Sequence, residues 1–161
     1  MSFFGSSRQG GSFQCGSGGS LQCGSSRGGS SKDYLRGKYI YSDISTSDWI
    51  TINGISVYKV ELFRCPVDVG GQTGTHQGVV LQLCNGRGYL VHKRVDLRTE
   101  EVVVEVKPAE KMSAKWTKVS EKYVSGKVLK MNDFLAACGL TFNLINNNCQ
   151  HAAQRMMNLA N

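Results

Sequence analysis

Hydrophobic positions divide the chain into a beginning without apolar period, an alternating middle and a helical end. Residues 1–30 are almost all Gly, Ser, Gln, Cys and Phe. From Ser31 the β-formers Tyr34, Tyr39, Ile40, Tyr41, Ile44, Trp49, Ile50 and Ile52 recur, broken by Ser, Thr and Asp, and Asn53-Gly54 is a hairpin signal. Residues 55–63 alternate and predict a strand that stops before Pro66, followed by a flexible loop over 70–74. Residues 75–84 and 89–95 predict two further strands around Asn85-Gly86-Arg87-Gly88. Residues 101–106 predict another, stopped by Pro108. Residues 116–124 predict a strand pair or an irregular edge. Asn132 is placed to cap a short helix over 133–138 that Gly139 terminates.

The last pattern is the most telling. Asn146, Asn147 and Asn148 compete for the backbone and disfavour helix, so they predict a loop ending in an N-cap. Beyond them Cys149, Ala152, Ala153, Met156, Met157 and Ala160 follow the i, i+3, i+4, i+7 spacing of an amphipathic helix. Cys149 therefore falls in the first turn, on the buried stripe. Free backbone N–H groups and the positive end of the helix dipole favour a thiolate there, which is the nucleophilic form. A small core cysteine that happens to begin a helix fits the same pattern. The fold class that follows is α+β, an antiparallel sheet packed against a C-terminal helix that bears the cysteine.

Length adds that 161 residues suit one domain, placed at 31–161 behind a tail at 1–30. An eight-residue unit repeats in that tail, Gly10–Ser17 and then Gly18–Ser25, each with one Cys and one Gln. Two copies build no solenoid, and the composition cannot offset its ordering entropy, so a disordered linker is expected. An adhesive, cross-linked or S-acylated segment is the alternative. Lys+Arg 19 against Asp+Glu 12 gives +7, scattered rather than clustered, which argues against a nucleic-acid binder. No apolar run reaches the roughly 20 residues of a membrane helix, and no secretory leader is expected. The expected compartment is the cytosol, with at most peripheral contact at membranes. The six cysteines contain no CxxC pair, so free thiols are expected. Cys149 and His151, two residues apart on a helix, cannot ligate one ion together, and neither metal nor cofactor is expected.

His76 lies near the entry of the predicted hairpin and His92 near its exit. Parity decides whether they cooperate. A two-residue Asn-Gly turn would put them on opposite faces, and a loop with an odd number of residues on the same face. A three-residue loop still leaves them offset along the strands, so a longer loop or a bulge is expected to bring the rings together.

The order His76, His92, then Cys149 opening a helix resembles the lecithin:retinol acyltransferase-like family of circularly permuted papain-like thiol enzymes. The resemblance rests on Gly139–His151, on Thr75-His76 and on Tyr89–His92, and covers roughly residues 55–160. It implies Cys149 as nucleophile, His76 as base and His92 as the polar third member that orients His76. It also implies acyltransferase or acyl-hydrolase (phospholipase-type) chemistry on a phospholipid-type ester, through an acyl-cysteine. Gln150 stands where the family has Glu, Ala152 replaces an aromatic residue, the histidines are further apart, and no hydrophobic anchor follows the thiol helix. Two other readings stay open: a thiol peptidase or isopeptidase of the same permuted fold, and a catalytically inactive interaction module.

Overall fold

The computed structural model describes residues 12–13, 35–96 and 98–161. Apart from Ser12–Phe13, the tail expected to be disordered lies outside the described residues. The elements are β1 (Ser12–Phe13), β2 (Leu35–Tyr41), α1 (Thr46–Asn53), β3 (Ser56–Val69), β4 (Gln72–Leu83), β5 (Gly88–Asp96) and β6 (Glu101–Pro108). After a single 3₁₀ turn come β7 (Thr117–Tyr123), β8 (Leu129–Lys130), α2 (Met131–Cys138), β9 (Thr141–Phe142) and α3 (Cys149–Asn158). The sheet runs β1-β2-β6-β5-β4-β3-β7, with β8 on β3 and β9 on β2. All its pairings are antiparallel except β2 with β6. The α+β class and the C-terminal helix therefore stand, on a sheet that is mixed at one seam.

Alternation builds the core. Val79, Leu81 and Leu83 of β4, Tyr89 and Val91 of β5, and Val104 and Val106 of β6 turn to one face. Against them pack Phe134, Leu135 and Cys138 of α2 and Ala152, Ala153, Met156 and Met157 of α3. Burying a side chain such as Phe134 or Met156 stabilises by about 1.5–3 kcal/mol. The small Ala152-Ala153 pair lets α3 lie close to the sheet. Asn148 caps α3 as expected, its side-chain oxygen accepting from the N–H groups of Gln150 and His151. Arg155 of α3 donates to the carbonyls of Ala137 and Cys138, satisfying the C-terminal end of α2.

Four expectations need correction. Residues 46–53 form helix α1, and Asn53-Gly54 closes it instead of turning a hairpin. Ser45 caps this helix by accepting from the N–H of Asp48, and Trp49 and Ile52 are its buried face. Strand β3 runs through Pro66 to Val69, because its partner β7 ends at the Arg64–Thr117 pair and leaves that stretch with one free edge. Residues 70–74 are not a flexible loop. Gly70 and Gly71, at φ 60° and 82°, make a two-residue turn that pairs Val69 with Gln72. Lastly, α2 begins at Met131, and the Asp133 carboxylate accepts from the N–H of Lys130, so Lys130 takes the N-cap position expected for Asn132.

Candidate active site

The β4–β5 hairpin pairs Gly78 with His92, Val79 with Val91 and Gln82 with Gly88. The Leu83 N–H donates to the Arg87 carbonyl at 2.9 Å, so the loop is the odd set Cys84-Asn85-Gly86. Gly86 supplies the left-handed residue at φ 84° that such a loop needs. His76, Gly78 and His92 thus share a face. The offset expected between the rings is real, but neither a longer loop nor a bulge removes it. The residue opposite His92 is glycine, and a Cβ on Gly78 would stand 2.8 Å from the His92 Cβ. That open space lets the rings meet on the diagonal, a distance aromatic side chains can span. His76 Nε2 and His92 Nδ1 are 2.8 Å apart.

The contact is one link of a longer row. His92 Nε2 lies 2.8 Å from Glu105 Oε2, and the Ser42 hydroxyl donates to Glu105 Oε1 at 2.6 Å. An ionised carboxylate only accepts, so the His92 Nε2–H points at Glu105 and a neutral His92 presents a lone pair at Nδ1. His76 must then donate from Nε2, which leaves its own lone pair on Nδ1. Among the described residues nothing hydrogen-bonds that Nδ1. Burial opposes charge on Glu105, yet the hydrogen bonds from His92 and Ser42 hold its carboxyl down at about 2. Burial first, and then the adjacent His92 ring and the Arg94 guanidinium, push His76 down to about 4, with Glu105 opposing. His76 is unprotonated at neutral pH and able to accept a proton. The Trp116 ring stands edge-on to both imidazoles, 5.5 Å between centroids in each case, and shields the row from water.

Cys149 arrives from the other side of the sheet's alternation. Helix α3 rests on the face of Val79, Leu81 and Val91, and the histidines occupy the alternate positions. The start of the helix reaches the strand end beside His76, where Gln150 Nε2 contacts the Thr75 carbonyl at 3.5 Å. Among the described residues no hydrogen bond joins the half-buried Cys149 sulfur to either ring. The structure therefore brings His76 and His92 together and sets Cys149 at a neighbouring helix end. No family model matches the chain, nor does any curated protein or solved structure at a significant level.

Helix-start donors can be counted. The N–H groups of Gln150 and His151 are taken by the Asn148 side chain and that of Ala152 by the Asn148 carbonyl. Only the N–H of Cys149 itself remains open in that turn among the described residues. The exposed His151 ring folds back on Asn148, Nδ1 to Oδ1 2.8 Å, and takes no part in the row. Beside the thiol, Asn143 and Asn147 pair through two backbone hydrogen bonds, and Asn143 Oδ1 accepts from the N–H groups of Ile145 and Asn146. This closed turn holds Leu144 and Ile145 out at 78 % and 85 % exposure. An open cleft of about 580 Å³ lies along the α2 side of the turn, lined by Gly139, Thr141, Asn147 and Arg155, and neither histidine borders it.

Glu105, its Ser42 partner and the Trp116 ring beside the row escaped the sequence reading. Glu105 carried a signal, a carboxylate inside a run of valines and out of phase with the core positions. Trp116 carried none, since it stands in irregular chain before β7.

Proposed function

We propose that the chain is a thiol-dependent acyltransferase or acyl hydrolase on a phospholipid-type ester, built on a permuted papain-like arrangement. Cys149 Sγ attacks the acyl carbonyl, and its proton passes to His76 Nδ1. The tetrahedral oxyanion takes the Cys149 N–H as one donor. Its collapse breaks the ester bond, the leaving alkoxide takes the proton from His76, and the acyl group stays on sulfur. Water or another nucleophile then releases it. His92 and Glu105 hold His76 in the tautomer that leaves Nδ1 basic, as the third member of a triad does.

The observation that carries this reading is the row Glu105–His92–His76 ending on an unbonded Nδ1, next to the strand end that the thiol helix touches. The missing sulfur–imidazole bond is compatible with it, because catalytic hydrogen bonds in unliganded enzymes are often long and tighten on substrate. Leu144 and Ile145, held outward a few residues before the thiol, favour an apolar acyl substrate over a polar peptide. Among the described residues no helix is long and apolar enough to cross a membrane, so contact with a bilayer would be peripheral. Incubation with phosphatidylcholine vesicles followed by intact-mass and peptide analysis tests the proposal. The expected result is one acyl adduct, on Cys149. Its absence, with cleavage of a peptide or isopeptide substrate instead, would favour the protease reading. No turnover of either would favour the inactive module.

A further inference from the structure

We propose that Lys93 is the positioning residue of the thiol: its buried ammonium fixes the Asn147 turn and supplies the positive charge that favours a thiolate at Cys149. This inference rests on reading Cys149 as the nucleophile. Lys93 follows His92 on β5, so strand alternation sends the imidazole to one face and the ammonium into the core on the other. Its side chain is 0 % exposed. The ammonium donates to the Thr141 carbonyl at 2.8 Å and to Asn147 Oδ1 at 3.4 Å, two residues before Cys149. Arg155 donates to the same Asn147 oxygen at 2.8 Å, so two cations clamp the turn that leads into the helix.

Both partners of Lys93 are neutral, and among the described residues no Asp or Glu pairs with it. A buried cation without a counter-charge costs several kcal/mol, so the question is which anion it serves. The titratable groups that face it are Cys138 on α2 and Arg155 and Cys149 on α3. Arg155 has the same sign. Burial pushes the Cys138 thiol up to about 11, which keeps it protonated at neutral pH. Cys149, half-buried two residues beyond the Asn147 that Lys93 holds, is the thiol placed to answer that charge. Burial, and then the like charge of Arg155, push Lys93 itself down to about 8, so it remains mostly charged near neutrality.

Iodoacetamide labelling of the full chain, followed at Cys149 by peptide mass, reads this at about pH 6.5 and about pH 10. Lys93→Met should slow labelling about tenfold at the lower pH and leave it unchanged at the higher, while Lys93→Arg stays near wild type. A purely structural role would change both pH values together. Should Lys93→Met fail to fold, the reciprocal measurement serves. Cys149→Ser should lower the midpoint of the Lys93 Cε titration followed by NMR. Equal labelling of wild type and Lys93→Met at pH 6.5, or an unmoved Lys93 midpoint, would overturn the proposal. The acyl-transfer reading fails separately, if no acyl adduct forms on a Cys149 whose labelling still depends on Lys93.

Discussion

His76 commits one ring nitrogen to His92 and keeps the other free, and burial holds it unprotonated down to about 4. Stability should record this. The unfolded chain binds a proton at His76 below about 6.5 and the folded chain only below about 4. Between those values the unfolded state holds more protons, so stability should fall with acid by on the order of 3 kcal/mol. Glu105 acts in the next window, between about 4.5 unfolded and about 2 folded, and should deepen the loss there. Urea denaturation across this range checks the assignment: His76→Gln should flatten the slope between pH 6.5 and 4 while leaving the more acidic limb. An unchanged slope would show that His76 takes its proton at the usual pH. In the sequence His76 and His92 were identifiable as partners, but the carboxylate that gives the row its direction was not. Nothing in the strand containing Glu105 told which face it shares with His92 until register was known.

At the scale of elements, the β4–β5 hairpin does the positioning. Its odd loop was one of the alternatives that parity left open. The way the offset rings meet was not foreseeable, because it depends on the side chain that Gly78 lacks directly across from His92. Gly78→Ala should therefore push His92 out of line, costing about 1–3 kcal/mol in thermal or urea melts and lowering thiol reactivity as the row breaks. An alanine variant with wild-type melting and labelling would contradict that role. Helix α3 was legible because its apolar spacing and its asparagine cap agree, local propensity and tertiary packing pointing the same way. Helix α1 was missed because isoleucines and Trp49 read as β-formers, although Ser45 and Asp48 carried a capping signal. There the tertiary contacts of Trp49 and Ile52 outweighed propensity.

Across the whole molecule, one sheet keeps two kinds of chemistry apart. The core face carries α2, α3 and the buried Lys93. The alternate face carries Glu105, His92 and His76 under Trp116. The amphipathic pattern revealed that there would be a sheet and a terminal helix, yet strand order and the parallel β2–β6 seam arise from pairings far apart in sequence. Strand β3 is long because the Gly70-Gly71 turn pairs it with β4 along its length. At the start of α3 the Gln150 side chain, one residue after the thiol, meets the Thr75 carbonyl beside His76. That junction carries the functional claim, that His76 draws the proton from Cys149. The most direct measurement is the rate of Cys149 alkylation at neutral pH in wild type and in His76→Ala, with circular dichroism to verify folding. The account predicts a fast wild-type thiol and a loss of about tenfold or more in the variant. Equal rates in two folded proteins would contradict it.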